Sequence, residues 1–170
     1  MYIRMPILAF LLFLGGCASL IAPYDATFDQ SLNKLSGDTA TFLAAASAGG
    51  SERSYSSDET VAYYAATYNL LDRLSQRASL SRGAVPCPTN ASLTEFAGTA
   101  TSTTTLPPDY REFDCREFQL YSVRIYVDQM HYAHEKGGSL NRSEATALGN
   151  TLQTSVMGAI ETFVVNKPQS

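Results

Sequence analysis

The sequence predicts an all-α domain, an up-down-up-down four-helix bundle with one long loop that a disulfide pins. Three observations favour this class. Apolar residues recur every three or four positions in four separate stretches, which is the spacing of one face of an α-helix. Capping residues, glycines and prolines separate those stretches. Cys87 lies near the start of the long irregular stretch at 83–108, and Cys115 follows its end.

The first predicted helix begins near Asp25 or Thr27, because either side chain can cap a helix start. Gly49 and Gly50 end it, since glycine readily stops a helix. Its apolar stripe consists of Phe28, Leu32, Leu35, Phe42 and Ala46.

The second predicted helix follows a capping box in which Ser56 and Glu59 lie three residues apart. Its apolar stripe consists of Val61, Tyr64, Tyr68, Leu71, Leu74 and Ala78. Residues 83–108 then form the long loop, which contains four prolines and a polar run at 99–105. A loop of this length is unusual inside a compact domain, and the predicted disulfide gives it a physical reason.

The third predicted helix runs from about Pro108, at its first turn, to Lys136, where Gly137 and Gly138 end it. Its main stripe consists of Phe113, Leu120, Val123, Val127 and Met130. A second apolar row lies on roughly the opposite side and consists of Phe118, Tyr121, Ile125 and Tyr132. This helix is therefore either central to the bundle or presents a surface to a partner.

The last predicted helix begins near Asn141, which forms a second capping box with Glu144, and runs to about Val165. Lys167 and Pro168 end it. Its stripe consists of Leu148, Leu152, Val156, Ile160 and Phe163.

Residues 1–16 have the pattern of an export signal. Arg4 supplies positive charge, and residues 7–14 form an apolar run that is far shorter than the roughly 20 residues of a membrane-spanning helix. Two small residues, Gly15 and Gly16, close this run and are followed at once by Cys17.

Leu14-Gly15-Gly16-Cys17 resembles the lipobox of bacterial lipoproteins. The resemblance implies cleavage before Cys17, diacylglycerol on its sulfur and a further acyl chain such as palmitate on the new amine. No Asp follows the cysteine, which by the same resemblance implies an outer-membrane lipoprotein that faces the periplasm. The alternative is an ordinary cleaved signal in which Cys17 is incidental. The resemblance covers about the first 20 residues and implies nothing about the fold.

Three segments follow from this interpretation: a signal peptide at 1–16, a lipid tether at 17–24 and the helical bundle domain at 25–170. The tether reaches about 25 Å at most, so the domain is expected close to the membrane. The net charge is -4 and no basic run occurs, which disfavours nucleic acid as a partner.

With Cys17 acylated, Cys87 and Cys115 are the remaining cysteines of an exported chain, and one disulfide is their simplest state. The chain-entropy argument gives about 3.6 kcal/mol of stabilisation for the 29-residue loop that this bond would close. A redox pair and metal thiolates are the alternatives, although no Cys-x-x-Cys motif is present.

The strongest candidate for chemistry is the group Asp128, His131, His134 and Glu135 on the third predicted helix. His131 and His134 are the only histidines, so the di-iron arrangement of helical bundles, which needs a histidine from each of two helices, is excluded. A single zinc or copper ion on these two histidines is one interpretation. The other is a hydrogen-bonded core histidine beside a surface one, since on a helical wheel His134 falls near the middle of the main apolar stripe and His131 at its edge.

Motifs of catalysis are missing from the sequence: Gly-x-Ser-x-Gly, glycine-rich phosphate loops and Cys-x-x-Cys-His do not occur. We therefore predict a non-enzymatic binding or adaptor module without a cofactor other than the lipid, similar in outline to pilotin-type secretion accessory lipoproteins. The alternative is a metal- or small-ligand-binding bundle that uses His131 and His134.

Tyrosines concentrate in the middle of the chain, and tyrosine is enriched at protein interfaces. The candidate partner surface is the second row of the third helix, made of Phe118, Tyr121, Ile125 and Tyr132. The alternative is that neighbouring helices bury these rings as part of the core.

Overall fold

A computed structural model describes three parts of the chain, residues 24–48, 54–82 and 108–164. Regular structure in these parts is entirely helical, which confirms the predicted all-α class. In chain order the elements are α1 (Ala26–Ser47), α2 (Asp58–Ser79), a short 3₁₀ turn (Tyr110–Glu112), α3 (Cys115–Gly137) and α4 (Arg142–Val164). No helix in these parts is long and apolar enough to cross a bilayer.

Several sequence predictions concern residues outside the described parts, and they stay predictions. They are the export signal at 1–16, the lipidated Cys17 with most of its tether, and the long loop with Cys87. Cys115 is described: it opens α3, is half-buried, and its sulfur is disulfide-bonded. Its partner sulfur lies outside the described parts, so the pairing with Cys87 also stays a prediction.

Helices α1 and α4 run antiparallel and pack closely against each other. Phe28 near the start of α1 stacks on Phe163 near the end of α4, with ring centroids 3.9 Å apart. At the other end of the pair, a Cβ added to Gly149 would lie only 3.0 Å from Cδ1 of Leu43. Glycine at this position therefore lets the two helices approach each other.

The other neighbouring pairs are antiparallel too. Helix α3 packs as extensively on α4 as α1 does, α2 packs on α3, and the contact between α1 and α2 is smaller. Tyr64 early in α2 meets His134 late in α3, while Arg82 just after α2 meets Glu117 early in α3. The order around the bundle is therefore the order along the chain, as an up-down-up-down bundle requires.

Two predicted helix starts are confirmed. The Asp25 side chain caps α1 by accepting a hydrogen bond from the Thr27 amide at 3.0 Å. At the start of α4, the Asn141 side chain accepts from the Glu144 amide and the Glu144 carboxylate accepts from the Asn141 amide. This is the reciprocal capping box that the sequence predicts.

The predicted capping box at Ser56 and Glu59 is wrong by one residue. Ser57 is the cap, because its backbone is extended and its hydroxyl accepts from the Thr60 amide at 3.2 Å. The buried face of α2 starts at Thr60. Val61, which the sequence places in the apolar stripe, is 57% exposed.

The third helix starts seven residues later than predicted. The segment after Pro108 forms the short 3₁₀ turn, and α3 begins where Asp114 and Glu117 make a capping box. Asp114 accepts from the Glu117 amide at 3.1 Å, and the Glu117 carboxylate accepts from the Asp114 amide at 3.1 Å. Gly138 ends the helix in the left-handed conformation, with φ of 68°, which favours glycine.

All four helices contribute to one main hydrophobic core. Most of the predicted stripe residues are buried in it. The buried ones are Phe28, Leu32, Leu35, Phe42, Ala46, Tyr64, Leu71, Leu74, Ala78, Leu120, Val123, Val127, Met130, Leu152, Val156, Ile160 and Phe163.

Candidate functional site

The two histidines lie late in α3, on the side that faces α2 and the turn at 54–57. His134 is fully buried and His131 is half-buried, in agreement with their predicted places at the middle and the edge of the apolar stripe. Three tyrosines and a carboxylate meet them. We call this group the tyrosine–histidine network; its members are Tyr55, Tyr64, Tyr68, Asp128, His131 and His134.

His131 is hydrogen-bonded at both ring nitrogens. The Tyr55 hydroxyl lies 3.0 Å from Nε2, and the Tyr68 hydroxyl lies 3.2 Å from Nδ1. Tyr68 also donates to Oδ1 of Asp128 at 2.8 Å. Since a phenol has one proton and Tyr68 gives it to Asp128, Tyr68 accepts from Nδ1–H of His131, and in this tautomer Nε2 accepts from Tyr55.

These bonds form one directed chain. It runs from the Tyr55 proton through the His131 ring and the Tyr68 hydroxyl to the Asp128 carboxylate. The Tyr55 amide also donates to the carbonyl of Gly138 at 2.8 Å, so the turn before α2 is fastened to the end of α3 by backbone and side chain together.

His134 lies deeper and is enclosed by aromatic rings. Its Nδ1 is 3.2 Å from the Tyr64 hydroxyl, which also lies 3.4 Å from the Met130 carbonyl. The Tyr55 ring meets His134 edge-on at 5.8 Å, and the Phe42 ring is tilted against it at 5.9 Å. The imidazole is thus part of the packed core at the junction of α1, α2 and α3.

A neighbouring tyrosine connects this region to α1. The Tyr63 hydroxyl lies 2.8 Å from the Thr39 hydroxyl, and its ring stacks on Phe42 with centroids 3.9 Å apart. Tyr63 directly precedes Tyr64 and therefore lies off the stripe that contains Tyr64, which lets it contact α1.

Electrostatics keeps the buried phenols neutral. Burial raises the pKa of Tyr64 well above its ordinary value, and it does the same for the pKa of Tyr63. For Tyr68, burial is again the first cause of a raised pKa, and the hydrogen bond to Asp128 adds to it. These hydroxyls therefore act as hydrogen-bond partners and not as bases or phenolate ligands near neutral pH.

Two observations on the described residues bear on the metal-binding interpretation. In the described parts of the chain, no group of three or more His, Cys, Asp or Glu side chains is placed to hold one. A metal at His131 would have to displace the hydroxyl of Tyr55 or of Tyr68, since both ring nitrogens are already engaged.

The candidate partner surface is largely buried. Ile125 is 1% exposed and Tyr121 is 7% exposed, and they form a small second core with the half-buried Phe113 and Phe118. The core interpretation therefore holds for these positions. Only Tyr132 is exposed, at 37%, and the Lys136 ammonium lies 5.5 Å from its ring centroid.

Sequence analysis missed an ionic junction between the end of α2 and the start of α3. Arg82 binds Glu117 through two nitrogens, at 2.9 Å from Nε and 2.8 Å from Nη2, and also reaches Asp109 at 2.7 Å and Glu112 at 3.0 Å. The spacing Asp114-x-x-Glu117 was visible as a capping box, but the predicted start at Pro108 hid it.

A groove of about 530 Å³ lies between α3 and α4. Its surface is more apolar than polar, and its lining combines Phe118 and Tyr126 with Gln119, Ser122, Thr151, Thr154 and Ser155. The Ser155 hydroxyl is buried and has no hydrogen-bond partner among the described residues. One hydroxyl in this groove does not indicate which ligand, if any, the groove would bind.

Comparisons with protein families, curated proteins and solved structures give no match for this chain.

Proposed function

We propose that this chain is a lipid-anchored bacterial envelope protein whose helical domain is a non-enzymatic adaptor, held at the outer membrane and facing the periplasm. The observation that carries the anchor is the coincidence of Arg4, the apolar run at 7–14 and Leu14-Gly15-Gly16-Cys17. Two or three acyl chains would attach the domain stably, because each buried methylene contributes about 0.8 kcal/mol.

The anchor is tested by Cys17→Ser in the full chain, with Ser19→Ala as the matched control. The parent and the control should incorporate labelled palmitate and sediment with membranes, and the Cys17→Ser variant should do neither. Palmitate incorporation that persists without Cys17, or a parent without acyl chains in its intact mass, would refute the anchor.

The adaptor proposal is supported by the way the polar residues of the described core are used. The hydroxyls of Tyr64 and Tyr68 and both nitrogens of His131 are occupied by internal hydrogen bonds. The phenols are also neutral near pH 7. Such a network, with its hydroxyls and ring nitrogens bonded to one another, stabilises the packing of the helices.

A photo-crosslinking amino acid in place of Tyr132 tests the adaptor in intact envelopes. Tyr132 is the exposed member of the second row of α3, so a discrete adduct with one envelope protein is expected there. The matched control is the same amino acid at the exposed Glu161, where no such adduct should form. Absence of adducts from both positions would contradict a partner on this face.

We further propose that Cys87 is the partner of the disulfide-bonded Cys115. Acylation of Cys17 leaves Cys87 as the only other cysteine of the mature chain. Non-reducing peptide mass spectrometry should find the two peptides joined, and alkylation before reduction should modify neither cysteine. A peptide that joins Cys115 to Cys17 would overturn both this pairing and the anchor.

A further inference from the structure

We infer that one particular end of the bundle faces the bilayer and that Leu80 contacts lipid there. This end is formed by the start of α1 and the end of α2; we call it the tether end. The occupant of this surface is the phospholipid bilayer that holds the acyl chains of Cys17, so the inference rests on the proposed lipid anchor.

The length of the tether is the first argument. Residues 17–24 span about 25 Å when fully extended. Helix α1 has 22 residues and is about 33 Å long. The tether is therefore shorter than the bundle, and the start of α1 stays close to the membrane while the turn at 54–57 lies at the far end.

The end of α2 shares the tether end. Nε of Arg77 lies 2.5 Å from the carboxylate of Asp25, the residue that caps α1. Leu80 follows Arg77 by three residues and is 89% exposed, the highest value among the large apolar residues of the described parts. A bilayer at this end would remove the apolar side chain of Leu80 from water, which is favourable.

The exposure of Leu80 does not come from a loose helix end. The Ser81 carbonyl accepts from Nη2 of Arg116 at 2.7 Å, and Arg82 is held by the buried Glu117. The turn that carries Leu80 is thus fastened to α3 on one side and, through Arg77, to α1 on the other.

An exposed arginine, ion-paired with Asp25, lies one helical turn before Leu80. The Arg77 side chain is 51% exposed, and an arginine next to an apolar residue can reach lipid phosphates while the apolar side chain enters the acyl boundary. At the same end Asp109, Glu112 and Glu117 share the one guanidinium of Arg82, so this junction carries net negative charge and the exposed Leu80, not net charge, favours lipid contact.

Single-tryptophan fluorescence tests the orientation, because the chain contains no tryptophan. Leu80→Trp and Val61→Trp would each be made in the full acylated chain and reconstituted into phosphatidylcholine–phosphatidylglycerol vesicles with brominated acyl chains. Val61 is the matched control: it is exposed on the same helix, 19 residues away, or about 28 Å along the axis. Both variants place the same membrane-seeking ring on α2.

Leu80→Trp should shift its emission to the blue and lose most of it to bromine quenching, while Val61→Trp should keep its emission. Equal quenching of the two, or stronger quenching of Val61→Trp, overturns the orientation while leaving the anchor intact. Flotation of the vesicles separates the two proposals: protein that does not float with lipid lacks a working anchor, and then both proposals fail.

Discussion

The substitution Tyr68→Phe removes one hydroxyl and keeps the ring. It breaks the 2.8 Å bond to Asp128 and the 3.2 Å bond from Nδ1 of His131. A hydrogen bond to a charged group contributes about 1.5–3 kcal/mol and a neutral one about 1 kcal/mol. Because Asp128 is half-buried, water replaces part of the lost bond, and we expect a loss of about 2 kcal/mol in the free energy of unfolding.

The same substitution should change the tautomer of His131. In the parent, Tyr68 gives its proton to Asp128, so Nδ1 of the imidazole carries the ring proton and Nε2 accepts from Tyr55. In Tyr68→Phe the acceptor at Nδ1 is gone. The proton should therefore move to Nε2, where the Tyr55 oxygen can accept it.

Thermal unfolding and nitrogen-15 NMR of the histidine ring measure the two effects. A loss of about 2 kcal/mol corresponds to about 4–8 °C in Tm for a domain of this size. Tyr132→Phe is the control, since that ring is exposed, and its stability should stay within about 0.5 kcal/mol of the parent. A parent protonated at Nε2 would refute the direction of these hydrogen bonds. A Tyr68→Phe variant as stable as the parent would refute their contribution to stability.

Three further predictions concern other parts of the molecule. Ser155→Ala should stabilise the domain by about 1 kcal/mol in urea unfolding, because it removes a buried hydroxyl that has no partner in the described parts of the chain; a destabilised variant would show that this hydroxyl is satisfied. Arg82→Ala should cost about 2 kcal/mol, because Glu117 is 5% exposed and would lose its guanidinium partner; adding Glu117→Gln should restore part of that loss in the same assay. Zinc added to the parent should leave Tm unchanged, because both nitrogens of His131 are hydrogen-bonded; a rise in Tm that His131→Ala abolishes would support the metal-binding alternative.

The helices were predictable because their signals are local. Apolar spacing identified the stripes, and Asp25 and Asn141 identified two of the starts. The errors came from competition between adjacent capping residues. Ser56 and Ser57 are chemically equivalent, and only the backbone of the folded turn selects Ser57.

The start of α3 shows a second kind of error. Proline favours a first helical turn, which predicts a start at Pro108. At the observed start, however, the side chains of Asp114 and Glu117 each accept a hydrogen bond from the other's backbone amide. The structure thus follows the capping box, and the proline lies in the turn that precedes it.

The histidines of the candidate site were predictable, while their partners were not. Periodicity places His131 and His134 on one helix and ranks their burial correctly. The hydroxyls that meet them come from Tyr55, Tyr64 and Tyr68, which lie more than 60 residues earlier in the chain. Which phenol meets which nitrogen depends on the packing of α2 against α3, and no local pattern encodes that.

The packing of helix α2 gives a structural reason for the polar network of this bundle. Helix α2 packs less extensively than α1 and α3, which both pack closely against α4. Directional contacts fix both halves of α2. Tyr64 and Tyr68 in its first half meet the histidines, and Arg77 and Arg82 at its end make ion pairs. Apolar packing alone tolerates rotation and sliding of a helix, whereas hydrogen bonds between buried groups are lost as soon as their geometry changes. The network therefore sets the register of α2 on α3, and this accounts for a buried histidine in a domain that we propose to be an adaptor.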